Sequence, residues 1–156
     1  MAWAFMATKS EPSLRARALR LLARREHSRE ELRRKLAAHA AEGEDVTVLL
    51  DDLTARGWLS DARFAEMAAR AKARRYGPIK LAHYLRGRGL ADELIAAGVK
   101  SAGADGVSSI EAVWRSRFRE LPGDEQDKAK QVRFLQGRGF PLDQIFRFLK
   151  QMETFP

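Results

Sequence analysis

The feature that most constrains this chain is that it repeats itself. "YLRGRGL" at residues 84–90 returns fifty positions later as "FLQGRGF" at 134–140, each reading aromatic, Leu, x, Gly, Arg, Gly, apolar. A shift of 49 lays "REHSREELRRKL" (25–36) over "RRYGPIKLAHYL" (74–85). Arg25 then falls on Arg74, His27 on Tyr76, Ser28 on Gly77 and Leu32 on Leu81. Leu36, Leu85 and Leu135 become equivalent positions of three divergent units. A period near fifty residues marks a repeat architecture: one unit buries too little surface to stand alone, so units stack on their neighbours.

Each unit reads as three short helices. Leu14, Ala18, Leu21 and Leu22 recur at helical spacing. Ser28 with Glu31 makes a capping box that opens a second helix, with Leu32 and Leu36 on its apolar face. Val46, Leu49, Leu50 and Leu53 form a third stripe, ended by Gly57. In the second unit Phe64, Met67, Ala68 and Ala71 share a face, and Gly77-Pro78 opens the middle helix. The third unit is expected to start at Ser108, boxed by Glu111. Its first helix should carry Ile110, Val113, Trp114, Phe118 and Leu121 and stop at Pro122-Gly123. Leu142, Ile145, Phe146 and Leu149 line its last helix. No stretch alternates as a strand would. The expected fold is therefore all-α: three tandem three-helix repeats stacked into an elongated, curved body. The expected boundaries are a tail over 1–12, repeats over 13–59 and 60–101, a glycine-rich junction over 102–107 and a third repeat over 108–156. The stretch 97–108 around that junction, with three glycines, is the best candidate for a flexible segment.

Gly-Arg-Gly admits three readings: a phosphate loop, an RNA-binding tract or a helix corner. A phosphate loop needs a preceding strand and a Lys-Ser/Thr, and an RNA tract needs many repeats in a disordered context. Here Gly89 and Gly139 each close an apolar helical stripe and precede a hydrophobe, as a left-handed capping glycine does. Gly57-Trp58 repeats the pattern. Gly57, Trp58, Gly89 and Gly139 are thus read as structural corners. Arg56, Arg88 and Arg138 sit in the last turn, where the helix dipole favours cations. The first unit departs from the pattern, since Ala40 stands where Gly89 does and Gly43 arrives three residues late.

The chain is basic, with 29 Lys and Arg against 21 acids and a net charge of +8. That balance favours polyanionic partners and says nothing of fold. The charge is also segregated. Residues 13–38 carry nine cations against three glutamates, and 61–90 eight against two. Residues 39–60 carry five acids against one arginine. The candidate partner- or nucleic-acid-binding residues are Arg17, Arg20, Arg24, Arg25, Arg29, Arg33 and Arg34 in the first unit. Lys72, Arg74, Arg75, Lys80, Arg86 and Arg88 are their counterparts in the second. Arg25 and Arg74, equivalent by repeat, are both expected on solvent faces, with similar and roughly additive effects when reversed. The acidic segment suits a protein partner better than naked DNA, and its Asp51-Asp52 pair is expected to be solvated.

Catalytic patterns are missing. His27, His39 and His83 are far apart, and no nucleophile motif or carboxylate pair appears. No enzymatic activity, metal or cofactor is expected. There is no cysteine, which excludes disulfides and fits a reducing compartment. No apolar run is long enough to span a bilayer, and "MAWAFMATKSEP" lacks a basic leader, so it reads as a loose tail.

Four blocks, in order, resemble the RecX regulatory proteins of bacteria: "ALRLLARREHSREELRRKL" (18–36), "LDDLTARGWLSDARFAE" (50–66), "GPIKLAHYLRGRGL" (77–90) and "FLQGRGF" (134–140). The likeness runs from about Ser13 to Met152 and is most specific over Gly57 to Ala65. The resemblance implies three stacked three-helix repeats. It also implies binding to the filament of the RecA recombinase, with damping of its strand exchange, ATP hydrolysis and co-protease activity. The partners it implies are the RecA filament, in whose groove family members are thought to lie, and single- or double-stranded DNA, bound weakly and salt-dependently. A cytoplasmic monomer is expected. A general helical DNA-binding protein acting without RecA is the alternative.

Overall fold

The computed structural model describes residues 10–155, so the first nine residues of the predicted tail lie outside the described range. The described residues form nine α-helices and no strand. They are α1 (Leu14–Arg24), α2 (Arg29–Ala37), α3 (Val46–Ala55), α4 (Asp61–Lys72), α5 (Pro78–Gly87), α6 (Asp92–Ser101), α7 (Val107–Arg115), α8 (Glu125–Gly137) and α9 (Leu142–Thr154). Local chemistry explains most of the starts. The side chains of Ser13, Ser28, Asp45, Ser60 and Asp124 each accept a backbone N–H of the first turn. Proline at the first position opens α5.

Three main cores and a small fourth cluster of Ala73, Leu81 and Ala104 replace one. Leu14, Ala18, Leu32, Leu36, Leu50, Leu53 and Leu59 close the first unit. Phe64, Ala65, Ala68, Ala69, Leu85, Leu90 and Ile95 close the second. Trp114, Leu135, Phe140, Ile145, Phe148 and Leu149, with Ile110 and Val113, close the third. The extensive helix-on-helix packing lies within units, as in α4 against α6 and α8 against α9. Units meet at corners, each touching its neighbour in the chain, and the body is elongated.

The middle helices meet head to tail. Gly77, at the start of α5, donates its N–H to the Arg138 carbonyl at 2.8 Å, and Ile79 donates to Gly139 O at 3.0 Å. Ser28, at the start of α2, donates its hydroxyl to Arg88 O at 2.8 Å. The orphan carbonyls at the end of one middle helix thus receive donors from the start of another, dipoles aligned. Gly57, Gly89 and Gly139 have φ of 75°, 79° and 98°. At the last two a Cβ would also collide with the incoming helix, at 2.6 Å from Glu30 Cβ and 2.5 Å from Lys80 Cβ. Gly77 is as constrained, since its Cβ would lie 2.7 Å from the Gly139 carbonyl.

Two features of the third unit differ from expectation. It opens at Val107 with Gly106 as an uncapped start, not at Ser108 with a capping box. The neighbouring hydroxyl is used across units instead, Ser109 donating to Ala73 O at 3.2 Å. Phe118 and Leu121 lie beyond α7, which ends at Arg115, yet both pack on the third core. Phe118 meets Phe134 edge-on at 5.3 Å, and Gln131 donates to Glu120 O, so the connection is pinned without being helical. The glycine-rich stretch 97–108, the candidate flexible segment, begins as helix: its first five residues belong to α6. Position 98 takes a glycine within the helix because α4 passes close by: a Cβ there would meet Ala65 O at 3.1 Å.

A candidate polyanion-binding groove

The structure divides the candidate cations into groups with different surroundings. Arg25, Lys72, Arg74 and Arg75 line one open groove along α4, together with Met67, Tyr76 and Tyr84. Lys72 Nζ sits over the Tyr84 ring at 4.3 Å. Among the described residues Lys72, Arg74 and Arg75 have no carboxylate within 4 Å. Cations without acidic partners, beside two aromatic rings, form the arrangement that tracks a phosphate backbone and stacks bases.

Arg17, Arg20 and Arg24 lie elsewhere, in a cleft between α1 and α2 lined also by Leu21, Lys35, Leu36 and His39. Arg29, Arg33, Arg34 and Arg86 are engaged in ion pairs. Arg29 reaches Asp51 at 2.6 Å, Arg33 and Arg34 reach Glu30 at 2.6 and 3.1 Å, and Arg86 reaches Asp92 at 3.7 Å. The Arg33 hydrogen bond and the charges of both arginines pull the Glu30 carboxyl down to about 2. Lys80 and Arg88 serve the junctions. Lys80 lies over Tyr76 at 4.8 Å with its ammonium near Gly137 O. Arg88 lies over Tyr84 at 4.9 Å and 3.5 Å from Glu31.

Glu31 organises the first junction. Its side chain is only 4 % exposed and is held by a two-pronged Arg25 contact, with Lys35 at 3.8 Å and Arg88 of the next unit at 3.5 Å. Burial pushes this carboxyl up, but the Arg25 hydrogen bonds and the neighbouring cations outweigh it, so it titrates below its ordinary range. Beside it His27 is 1 % exposed, its ring nitrogens facing Arg25 O and Lys35 Nζ at 3.0 and 3.1 Å. Burial holds its pKa down. Nδ1–H donates to the carbonyl and Nε2 accepts from the ammonium, the tautomer these partners require. Arg25 and Arg74 are therefore not equivalent: the first neutralises a buried acid, the second stands in solvent. The three aspartates of the acidic segment are likewise engaged internally. Asp51 pairs with Arg29, and Asp52 with Arg15 at 2.7 Å and Arg56 at 3.1 Å, so neither is merely solvated. Asp45 caps α3.

The stretch from Gly57 to Ala65 connects the first two units. Trp58 is 44 % exposed, with the guanidinium groups of Arg15 and Arg56 at 5.8 and 5.3 Å from its ring centroid. Leu59 and Phe64 enter the two cores, and Ser60 caps α4. Asp61 accepts the Arg29 N–H at 2.7 Å, and Arg63 bonds Glu26 and Gly57 O. Sequence reasoning missed the roles of Tyr76, Tyr84, Glu31 and Asp61. Tyr84 was within reach, being the aromatic that opens the Gly-Arg-Gly repeat. Among the described residues no cluster of His, Cys, Asp and Glu could hold a metal, and no helix is long and apolar enough to cross a membrane.

Small helical units in tandem, joined at corners and outwardly basic, define a helical-repeat protein. Models of the first, second and third three-helix domains of RecX match residues 15–53, 60–99 and 105–149. The regulatory protein RecX of Ralstonia nicotianae is 43% identical over 146 residues, spanning 93% of this chain and 92% of that one. That of Chromobacterium violaceum is 42% identical over 137 residues, spanning 88% and 89%. The crystal structure of RecX from Lactobacillus salivarius shares the fold, with TM-score 0.71 at 19% identity over 91% of this chain and 96% of that one. The chain belongs to the RecX family of regulatory proteins.

Proposed function

We propose that this protein is a negative modulator of the RecA recombinase. It binds the RecA–DNA filament and inhibits its ATP hydrolysis, strand exchange and co-protease activity, as a cytoplasmic monomer without catalysis of its own. The three units, 13–59, 60–101 and 108–156, act as successive docking bodies along the filament. Family membership supports the regulatory role. The observation that carries the contact surface is the α4 groove, where Lys72, Arg74 and Arg75 lack acidic partners beside Tyr76 and Tyr84. Such a groove suits a phosphate-bearing surface at moderate, salt-dependent affinity.

The tyrosines also favour a second reading, a DNA-binding protein that acts without RecA. One assay separates the two: RecA-catalysed ATP hydrolysis on single-stranded DNA, with increasing amounts of this protein. Under the first reading hydrolysis falls and stays low when the DNA is raised well beyond the amount the protein could sequester, and R74E/R75E relieves the inhibition. Inhibition that vanishes with excess DNA supports the second reading. Full hydrolysis at every protein concentration defeats the first.

A further inference from the structure

We propose that the cleft between α1 and α2 binds an acidic protein segment carrying an apolar side chain. The cleft encloses about 360 Å3 and shares no lining residue with the α4 groove. Among the described residues four cations line it and no carboxylate does: Arg17, Arg20 and Arg24, with Lys35, which also reaches Glu31 at 3.8 Å. Among the described residues Arg20 and Arg24 have no acid within 4 Å, and Arg17 has only Glu11 at 3.9 Å. Leu21 and Leu36 supply its apolar lining.

The kind of ligand follows from what lines the cleft. Guanidinium groups match carboxylates in a two-pronged geometry. Arg17, Arg20 and Arg24 follow one stripe of α1 over about 10 Å, at 1.5 Å per residue. That is the reach of about three extended peptide residues. A single nucleic-acid strand would look for aromatic planes on which to stack. Among the described residues the cleft offers one small ring, the His39 imidazole, whereas the α4 groove has two tyrosines. Leucines suit an aliphatic or phenylalanine side chain set among acids.

The test uses the full chain and two labelled probes read by fluorescence anisotropy: a short peptide of Asp and Glu with one central Phe, and a thymidine oligonucleotide. R20E/R24E is expected to weaken peptide binding at least tenfold and to weaken it more than R74E/R75E does, while the oligonucleotide ranks the two variants in the opposite order. Replacing the peptide's Phe by Ala is expected to weaken binding about tenfold, through loss of buried apolar area. Should R20E/R24E fail to fold, R20K/R24K keeps the charge and removes the fork, and a severalfold loss of peptide affinity is the supporting result. The same ranking for both probes would make the cleft part of one continuous nucleic-acid surface and overturn the proposal. An unchanged affinity for the Ala peptide would overturn it too, by reducing the binding to diffuse charge. RecA is absent from the assay, so a failure here leaves the filament reading untouched.

Discussion

At Gly57 an added Cβ would meet nothing within 4 Å, whereas at Gly139 it would meet the Cβ and backbone nitrogen of Lys80 at 2.5 and 2.7 Å. Both have positive φ, so alanine at Gly57 tests conformation alone and alanine at Gly139 adds a collision at a unit junction. Urea unfolding is expected to show a loss of about 1 kcal/mol for Gly57→Ala and at least about 2 kcal/mol for Gly139→Ala, where overpacking joins the strain. Equal losses would show that the junction yields freely. His27 and Glu31 make a second residue-scale prediction, concerning pH. Both pKa values are lowered in the folded protein, from ordinary values of 6.5 and 4.5. Each therefore contributes stability that is present above its ordinary value and lost as pH falls through the folded one. The unfolding midpoint should decline in two stages on acidification, the first beginning near 6.5 and the second near 4.5. His27→Gln should remove the first stage and leave the second. Corner glycines were legible because a left-handed cap has a sequence signature. The buried charges were not, because burial of a histidine or glutamate depends on a neighbouring unit that periodicity does not describe.

Helices with a side-chain cap and a regular apolar stripe, such as α2 and α4, could be read directly from the chain. The opening of α7 could not. Ser108 and Glu111 have capping-box spacing, but the cap position falls two residues earlier, at Gly106, so the helix opens at Val107, and the Ser109 hydroxyl is drawn to Ala73 O of the preceding unit. Tertiary partners there override local propensity. The two junctions also differ in kind. Between the second and third units, backbone N–H groups of Gly77 and Ile79 meet backbone carbonyls. Between the first and second, side chains dominate: Ser28 to Arg88 O, Asp61 to the Arg29 N–H, Arg63 to Glu26 and Arg88 to Glu31. Asp61→Ala is expected to cost about 1 kcal/mol, the usual value of a lost helix-start acceptor. The loss should show as faster hydrogen exchange at the Arg29 amide, in a unit to which Asp61 does not belong. Protection there that matches the wild type would mean the first junction does not need this carboxylate.

For the molecule as a whole, the repeat implied equivalent basic faces, and the structure distributes them unequally. Charge counts located the basic surface to within a unit, but pairing with Asp51, Glu30 and Glu31 removes much of it from outside partners, and pairing is a property of the fold. Among the described residues the α4 groove keeps Lys72, Arg74 and Arg75 without acidic partners. Each phosphate contact to a single strand adds about −0.7 to the slope of log affinity against log salt, so R74E/R75E should flatten that slope by at least about 1. A filter-binding titration at several salt concentrations checks this, and an unchanged slope would place the phosphates elsewhere. The corner joints have a mechanical consequence. Because the extensive helix packing lies within units and the units meet through a few polar contacts, bending would concentrate at the two junctions. Helix α8, thirteen residues long, extends about 20 Å from the contact at Gly139, so a tilt of about 10° there swings its far end by about 3.5 Å. A body built this way would bend as a three-link caliper, turning at two knuckles, and a substitution that stiffened one knuckle would narrow the range of curvatures it could adopt.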